Sequence, residues 1–163
     1  MSAIPPLTPY LTVSDAVAAI EFYIKAFNAL PDGEPHLMPE TGKIMHMRLM
    51  VNGSMIMLAD DLAAMMGHPP STPEALGGSP VTLALQFDDV QPVWDSAVAA
   101  GATVTMPLAD QFWGARYGQL TDPFGHKWSL SQTLKSMSSE EIQSADDAAL
   151  SKKSTLLAEE AAA

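Results

Sequence analysis

The sequence predicts an α+β fold built from two copies of a βαβββ module, and three observations favour it. Apolar and polar residues alternate over short runs, which is typical of half-buried strands. In each half a helical stretch follows the first such run. A turn sequence then joins the last two strands of each half, at residues 52–53 and at residues 122–125. With 163 residues, the chain is long enough for two small modules that share one core.

The first module is predicted over residues 1–60. It opens with a strand at residues 7–13, where polar side chains alternate with Leu and Val. Asp15 then begins a helix, because its carboxylate can accept hydrogen bonds from the free backbone N–H groups of the first turn. Two more strands are predicted at residues 44–51 and 54–59. The buried face of the helix carries apolar residues spaced by three or four positions: Ala16, Ile20, Tyr23 and Phe27.

A connection rich in Pro and Gly, residues 61–80, is predicted to link the halves. The second module follows over residues 81–135, with a strand at 81–87 and a helix at 90–98. Gly101 ends that helix. The remaining strands of this module are predicted at residues 102–106, 117–121 and 127–131. Residues 136–163 contain no aromatic residue and are expected to form a helical or frayed C-terminal tail.

The two halves repeat at a near-constant offset. Asp89 at the second strand–helix corner follows Asp15 at the first by 74 residues. Gly125 in the second hairpin follows Gly53 in the first by 72 residues. Such agreement over whole modules favours a duplication, whereas the alternative is an unrelated α+β sandwich with coincidental hairpins.

Composition excludes several classes of partner. The formal net charge is -11, from 8 basic and 19 acidic residues, so nucleic acid and anionic membrane surfaces are not expected partners. No apolar run approaches the roughly 18 residues of a membrane span, and no secretion signal is recognised. With no Cys, the chain has neither a disulfide framework nor a thiolate site. A cytoplasmic protein is therefore expected.

Two segments resemble a known superfamily. PYLTVSDAVAAIEFYIKAF, near the start, resembles the opening of vicinal oxygen chelate proteins, which include glyoxalase I, bleomycin-resistance proteins and extradiol dioxygenases. FWGARYGQLTDPFGHKWSL resembles their closing segment, and its Phe-Trp-Gly start is similar to the PhnB-type branch. The resemblance covers roughly residues 5–135. It implies a glyoxalase-like fold, in which two βαβββ modules form a half-open, cup-shaped mixed sheet, and it implies a homodimer.

The resemblance also implies positions for a divalent metal, one on the first and one on the last strand of each module. In this sequence they fall near Thr8, Met57, Thr82 and Ser129. Hydroxyls are weak donors and a thioether is a soft one, whereas hard divalent cations prefer imidazole and carboxylate. No cofactor is therefore predicted, and a divalent metal held by a rearranged set that includes His46 is the alternative.

His46, Tyr10 and Arg116 are the candidate catalytic residues. His46 lies on a predicted central strand and has Arg48 on the same face; the alternative is a structural or solvent-facing histidine. Arg116 follows paired aromatic residues and is suited to an anionic or planar ligand, or else forms an ion pair with Asp110 or Asp122. The candidate ligand-binding residues are Thr8, Thr12, Met57, Thr82, Gln86, Phe112, Trp113, Tyr117 and Ser129.

These observations predict a metal-independent protein that binds or transforms a small apolar or aromatic molecule in its cup. Eleven Met residues support a pocket that adapts to varied ligands. One alternative is a metal-dependent lyase, isomerase or ring-cleaving dioxygenase with a rearranged site. A further alternative is a non-catalytic dimeric interaction module.

Overall fold

A computed structural model describes residues 2–161, and the side chains of residues 2–150. The first half contains the elements β1 (Tyr10–Val13), α1 (Ala16–Phe27), β2 (Leu30–Pro31), β3 (His36–Leu37), β4 (Ile44–Val51) and β5 (Ser54–Asp60). The second half contains β6 (Thr82–Gln86), α2 (Gln91–Ala99), β7 (Thr103–Asp110), β8 (Ala115–Thr121) and β9 (Lys127–Thr133). Between the halves lies a single 3-10 turn, Ala63–Met66, and α3 (Ser139–Ala161) follows β9.

The two halves have the same sheet topology. The first sheet has the order β1-β5-β4-β2, with β3 also paired to β4, and the second has the order β6-β9-β8-β7. In both sheets the first strand of the module is parallel to the last, and the other pairs are antiparallel. The predicted α+β fold of two βαβββ modules is therefore confirmed.

One face of each sheet packs into a shared hydrophobic core with α1 and α2. Strand alternation turns Leu11 and Leu58 of the first sheet, and Leu85 and Leu130 of the second, towards this core. Aromatic residues of α1 complete it, since Phe27 lies 4.8 Å from Trp128 of β9, measured between ring centroids. We call the opposite face of each sheet its open face.

Asp122 ties the two halves together at the hairpin before β9. Its buried carboxylate accepts hydrogen bonds of 2.8 Å from the Tyr23 hydroxyl of α1 and from the Trp128 indole. The other carboxylate oxygen accepts from the backbone N–H groups of Phe124 and His126, at 3.0 and 2.9 Å. Four donors offset the cost of burying this charge.

Three local features differ from the sequence prediction. β1 begins at Tyr10 and not at residue 7, because Pro9 has no N–H to donate and offers only its carbonyl, which accepts from Met57. Two short strands, β2 and β3, occupy the region predicted as a loop. β7 continues through Pro107 to Asp110, so the predicted loop shrinks to a tight turn before β8.

The C-terminal helix starts with a reciprocal cap. The Ser138 backbone N–H donates to the Glu141 carboxylate at 2.8 Å, and the Glu141 N–H donates to the Ser138 hydroxyl at 3.2 Å. Residues 162–163 of the predicted tail lie outside the described residues, as do the side chains from 151 onward. Within residues 2–161, no helix has both the length and the apolar character needed to cross a bilayer.

Candidate functional site

The open face of the first sheet carries a row of three dissimilar side chains. Tyr10 of β1 lies opposite Met57 of β5, which lies opposite Arg48 of β4. His46 lies two residues before Arg48 on the same strand and therefore shares its face. A phenol, a thioether, a guanidinium and an imidazole are thus brought together on three adjacent strands.

Tyr10 and His46 are in direct contact. The Tyr10 hydroxyl lies 3.0 Å from His46 Nδ1 and 3.1 Å from the backbone carbonyl of Met45. Burial raises the pKa of the Tyr10 phenol. Burial, together with the nearby His36 and Arg48, lowers the pKa of the His46 imidazole. At neutral pH both groups are uncharged, so the imidazole can accept a proton and the phenol can donate one.

A polar cavity of about 190 Å³ adjoins this pair. His36 of β3 lies directly opposite His46, and their ring centroids are 5.9 Å apart. Arg48 is 9% exposed, and its Nη2 lies 3.5 Å from the Asp32 carboxylate. The cavity is lined by Asp32, Glu34, His36, His46 and Arg48.

The centre of the open face of the second sheet carries uncharged side chains. Tyr117 of β8 accepts a hydrogen bond of 2.7 Å at its hydroxyl from the Gln119 amide. Trp113 packs edge-on against Tyr117 with ring centroids 5.8 Å apart, and Phe112 packs edge-on against Trp113 at 4.9 Å. Ser129 of β9 lies opposite Gln119 and is buried. These side chains form a stacking surface with hydrogen-bonding groups but no charge.

Two neighbouring cavities lie between the sheets, and both are lined by Pro9 and Leu83. The larger, about 410 Å³, is bounded by the start of β5, by β6 and by the segment that precedes β1. The smaller, about 270 Å³, extends along β1 to Tyr10 and His126. We call the two together the inter-sheet groove. Its lining is mainly apolar, with Met55, Ile56, Leu85 and Trp128 in the larger part.

A further cavity, of about 390 Å³, lies beneath the linker and includes Thr12 of β1. Asp61 at its edge accepts hydrogen bonds from the backbone N–H groups of Ser71 and Ala63, at 2.8 and 2.9 Å. These bonds lower the pKa of the Asp61 carboxylate. Its charge therefore holds the linker in place, and we assign it a structural role.

Comparison of this sequence with known protein families agrees with the fold. A profile of the Glyoxalase/Bleomycin resistance protein/Dioxygenase superfamily matches residues 4–130, which is more than half of the chain. The chain belongs to this superfamily. The resemblance to vicinal oxygen chelate proteins is therefore confirmed.

Individual relatives support the same assignment. Uncharacterized protein Mb0911c of Mycobacterium bovis is 47% identical over 141 residues, covering 86% of this chain and 91% of the relative. The crystal structure of an Arabidopsis thaliana gene product is 28% identical with a TM-score of 0.60, over 79% of this chain and 99% of that one. The PhnB protein of Bacillus cereus, titled a putative 3-demethylubiquinone-9 3-methyltransferase, shares the fold at 20% identity and TM-score 0.60, over 78% and 99%.

The residues at the superfamily's metal positions do not suit a divalent cation. The strand register sets Met57 opposite Tyr10, and not the predicted Thr8, in the first sheet, and it sets Ser129 opposite Ala84, and not the predicted Thr82, in the second. A thioether, a methyl and a hydroxyl are poor ligands, and the phenol holds its proton because burial raises its pKa. Among the described side chains, those of residues 2–150, no three or more from His, Asp or Glu converge as a metal site would require. We therefore derive no step through a metal.

The structure brings some predicted site residues together and separates others. Tyr10, His46 and Met57 form one group, and Phe112, Trp113 and Tyr117 form another. Gln86 donates to the Thr133 hydroxyl, at 3.2 Å. Thr82 borders the inter-sheet groove.

Two predicted site residues lie elsewhere. Arg116 shares the helix-side face of β8 with Leu120 and is bound to Asp110 at 2.6 Å, which is one of the two ion pairs weighed from the sequence. Thr8 precedes β1 and donates to the Pro5 carbonyl at 3.1 Å. Asp32 and His36 were missed, because the short strands that position them carry no periodic signal. The alternation of His46 with Arg48 was the available clue.

Proposed function

We propose that this protein binds a small apolar or aromatic molecule in the inter-sheet groove without using a metal. The observation that carries the proposal is the pair of joined cavities, about 410 and 270 Å³, between the two sheets. Ligand sites are typically concave, mainly apolar and about 300–1,000 Å³ in volume, with few polar groups. Here Thr82 supplies a hydroxyl for orientation, and Met55 supplies an adaptable apolar wall.

A blocking substitution tests the groove. Ala84 lines the larger cavity, so Ala84→Trp fills it with an indole. We expect Nile red, a neutral planar aromatic dye, to bind the native protein saturably and Ala84→Trp at least about tenfold more weakly, a loss of about 1.4 kcal/mol. Ala109→Trp is the matched control, since Ala109 is exposed on β7 outside the groove. Equal binding by the native protein and Ala84→Trp, measured by fluorescence titration, contradicts the proposal.

A separate experiment tests whether ligand binding requires a metal. The donor set at the superfamily positions, Met57 and Ser129 with Tyr10 and Ala84, supports metal-independent binding. We expect native protein to contain far less than one equivalent of any divalent transition metal by elemental analysis, and Nile red binding to survive chelation. A stoichiometric metal that is lost together with binding on chelation contradicts it.

A second candidate function is acid–base catalysis on a molecule in the polar cavity beside His46, and the contact between Tyr10 and His46 favours it. A neutral imidazole can accept a proton from a substrate and a phenol can donate one, and the 3.0 Å contact holds the two groups side by side. Any turnover found for the protein should fall about 10²-fold or more in His46→Gln, with ligand affinity retained. Unchanged turnover in this variant contradicts a catalytic role for His46.

We also propose that the protein forms a homodimer. Large apolar residues on the outside support this, including Leu7, which is 88% exposed, and Leu30, which is 67% exposed. Sedimentation across a range of concentrations is expected to report a dimer, and Leu7→Asp to weaken it. A monomer at every concentration contradicts the dimer and leaves groove binding open to its own test.

A further inference from the structure

The N-terminal backbone of this chain occupies a paired acidic and basic site on the first sheet. The Ser2 backbone N–H donates to both oxygens of the Asp32 carboxylate, at 2.9 and 3.0 Å, and the Ser2 hydroxyl donates to the first of them at 3.2 Å. The Ser2 carbonyl accepts from Arg48 Nη1 at 3.3 Å. One amino-acid residue thus contacts both members of the pair.

The pair is incompletely satisfied by this arrangement. Arg48 is about nine-tenths buried, and among the atoms that the structure describes its Nη2 has no hydrogen-bond partner. Nη2 lies 3.5 Å from the nearer Asp32 oxygen, beyond the usual range for a charge-assisted hydrogen bond. A buried donor without a partner carries a desolvation cost that a second acceptor would remove. The single carbonyl oxygen of Ser2 supplies one acceptor where the guanidinium offers two donors.

The missing acceptor identifies the ligand class. A carboxylate has two oxygens and matches the planar fork of a guanidinium, so it can accept from Nη1 and Nη2 together. An ammonium on the adjacent carbon can replace the Ser2 N–H as donor to Asp32. We propose that Asp32 and Arg48 form a subsite for the ammonium and carboxylate groups of a free α-amino acid, which displaces Ser2.

The surroundings suit this zwitterion. One fixed positive charge and one fixed negative charge match its own two charges without adding net charge to the site. The cavity of about 190 Å³ beside Arg48, lined also by Glu34, His36 and His46, gives space and hydrogen-bonding partners for a polar side chain. Ser2 is exposed, so its displacement opens no core packing. The subsite lies on the β2 and β4 side of the sheet, apart from the inter-sheet groove.

Titration calorimetry with L-serine tests the proposal, because serine is the residue that occupies the site. We expect saturable binding with a dissociation constant of about 1 mM, since displacement of Ser2 opposes it. Ser2→Pro removes the competing N–H and should tighten binding about tenfold. Ser2→Ala is its matched control, because it retains the N–H and loses only the hydroxyl contact, and its affinity should stay close to native.

Ligand analogues and pocket variants complete the test. L-Serinamide lacks the carboxylate and N-acetyl-L-serine lacks the ammonium, so both should bind at least about tenfold more weakly. Arg48→Lys and Asp32→Asn should each abolish binding while Nile red still binds, which separates this subsite from the groove. Should Arg48→Lys fail to fold, Asp32→Asn decides alone. No saturable binding of L-serine to native protein or Ser2→Pro up to about 10 mM, or equal binding of the analogues, overturns the proposal.

Discussion

The two open faces share one backbone register and differ in every side chain of the central row. In both halves that row runs from the first strand of the module, across the last, to the strand beside it. The first sheet has Tyr10, Met57 and Arg48 where the second has Ala84, Ser129 and Gln119. In this row the first sheet carries titratable and charged side chains, whereas the second carries smaller, uncharged ones.

In the neighbouring row, on the helix side of each sheet, the first and last strands of both modules carry the same residue type. Leu11 lies opposite Leu58 in the first sheet, and Leu85 lies opposite Leu130 in the second. Close packing in the core limits the choice of residue, whereas an open face has no such constraint. The duplicated scaffold therefore repeats its interior and varies its surface chemistry, so function must be sought on the faces and not in the repeat.

We expect the largest loss of stability from substitution of Asp122, whose carboxylate joins α1 to the second sheet. Asp122→Asn places an amide N–H₂ group against donors, so at least one buried donor loses its partner. We expect the free energy of unfolding to fall by about 2–4 kcal/mol, measured by urea denaturation. Asp88→Asn, at an exposed position, should change it by less than about 0.5 kcal/mol. A small loss in Asp122→Asn would show that its four donors find other partners.

Gly118 sharpens the comparison of the two cores. It lies opposite Leu130, as Met47 lies opposite Leu58, but an added Cβ would come within 2.6 Å of the Trp94 ring and 2.9 Å of the Leu108 Cα. Gly118→Ala should therefore cost about 1–3 kcal/mol in thermal denaturation. In a Trp94→Leu background the same substitution should cost less, because the ring is gone. Equal costs in both backgrounds contradict this account.

Asn52 joins the first hairpin to the second sheet and gives a smaller effect. Its backbone has φ 47°, which favours Asn or Gly, and its side-chain amide donates to the Gln86 carbonyl. Asn52→Ala should cost about 1–2 kcal/mol in urea denaturation, from the strained φ and the lost bond. Asn52→Gly keeps the turn and loses only the hydrogen bond. The difference in stability between Asn52→Ala and Asn52→Gly therefore gives the cost of the positive φ alone. Identical losses of stability in the two variants would show that the φ of residue 52 contributes nothing.

His46 is expected to give the smallest effect on stability, and that effect depends on pH. Its pKa in the folded state lies below the ordinary 6.5, so the unfolded chain binds more protons as the pH falls through that value. Stability is full above it and declines below. The difference in Tm between about pH 7.5 and about pH 5.5 should shrink in His46→Gln. His68→Gln, an exposed control, should leave it unchanged.

Sequence reasoning predicted the scaffold well because its signals are local and periodic. The apolar spacing of α1 and the Asn52-Gly53 turn each follow from neighbours within a few residues. β4 occurs over the predicted residues, Ile44–Val51. β7 was underestimated because Pro107 was taken as a strand end, although Pro is tolerated on this edge strand, which pairs with β8 alone.

The site was only partly predictable, because it depends on register and on distant segments. Alternation alone put His46 and Arg48 on one face, yet only the ladder shows that Tyr10 reaches His46. The contact of Ser2 with Asp32 and Arg48 joins residues 30 and 46 positions apart, and no local pattern encodes it. The sequence suggested that Arg116 binds a ligand, but the alternation of side chains along β8 places it on the helix side of the sheet.

The parallel pairing of β1 with β5, and of β6 with β9, has a consequence for biosynthesis. Neither sheet can close until its last strand has left the ribosome, so the apolar side of α1 waits for the first sheet while about 30 further residues are made, and for Trp128 of β9 until the second module is complete. Slow translation through this stretch should therefore increase the demand for chaperones more than the same delay after β9.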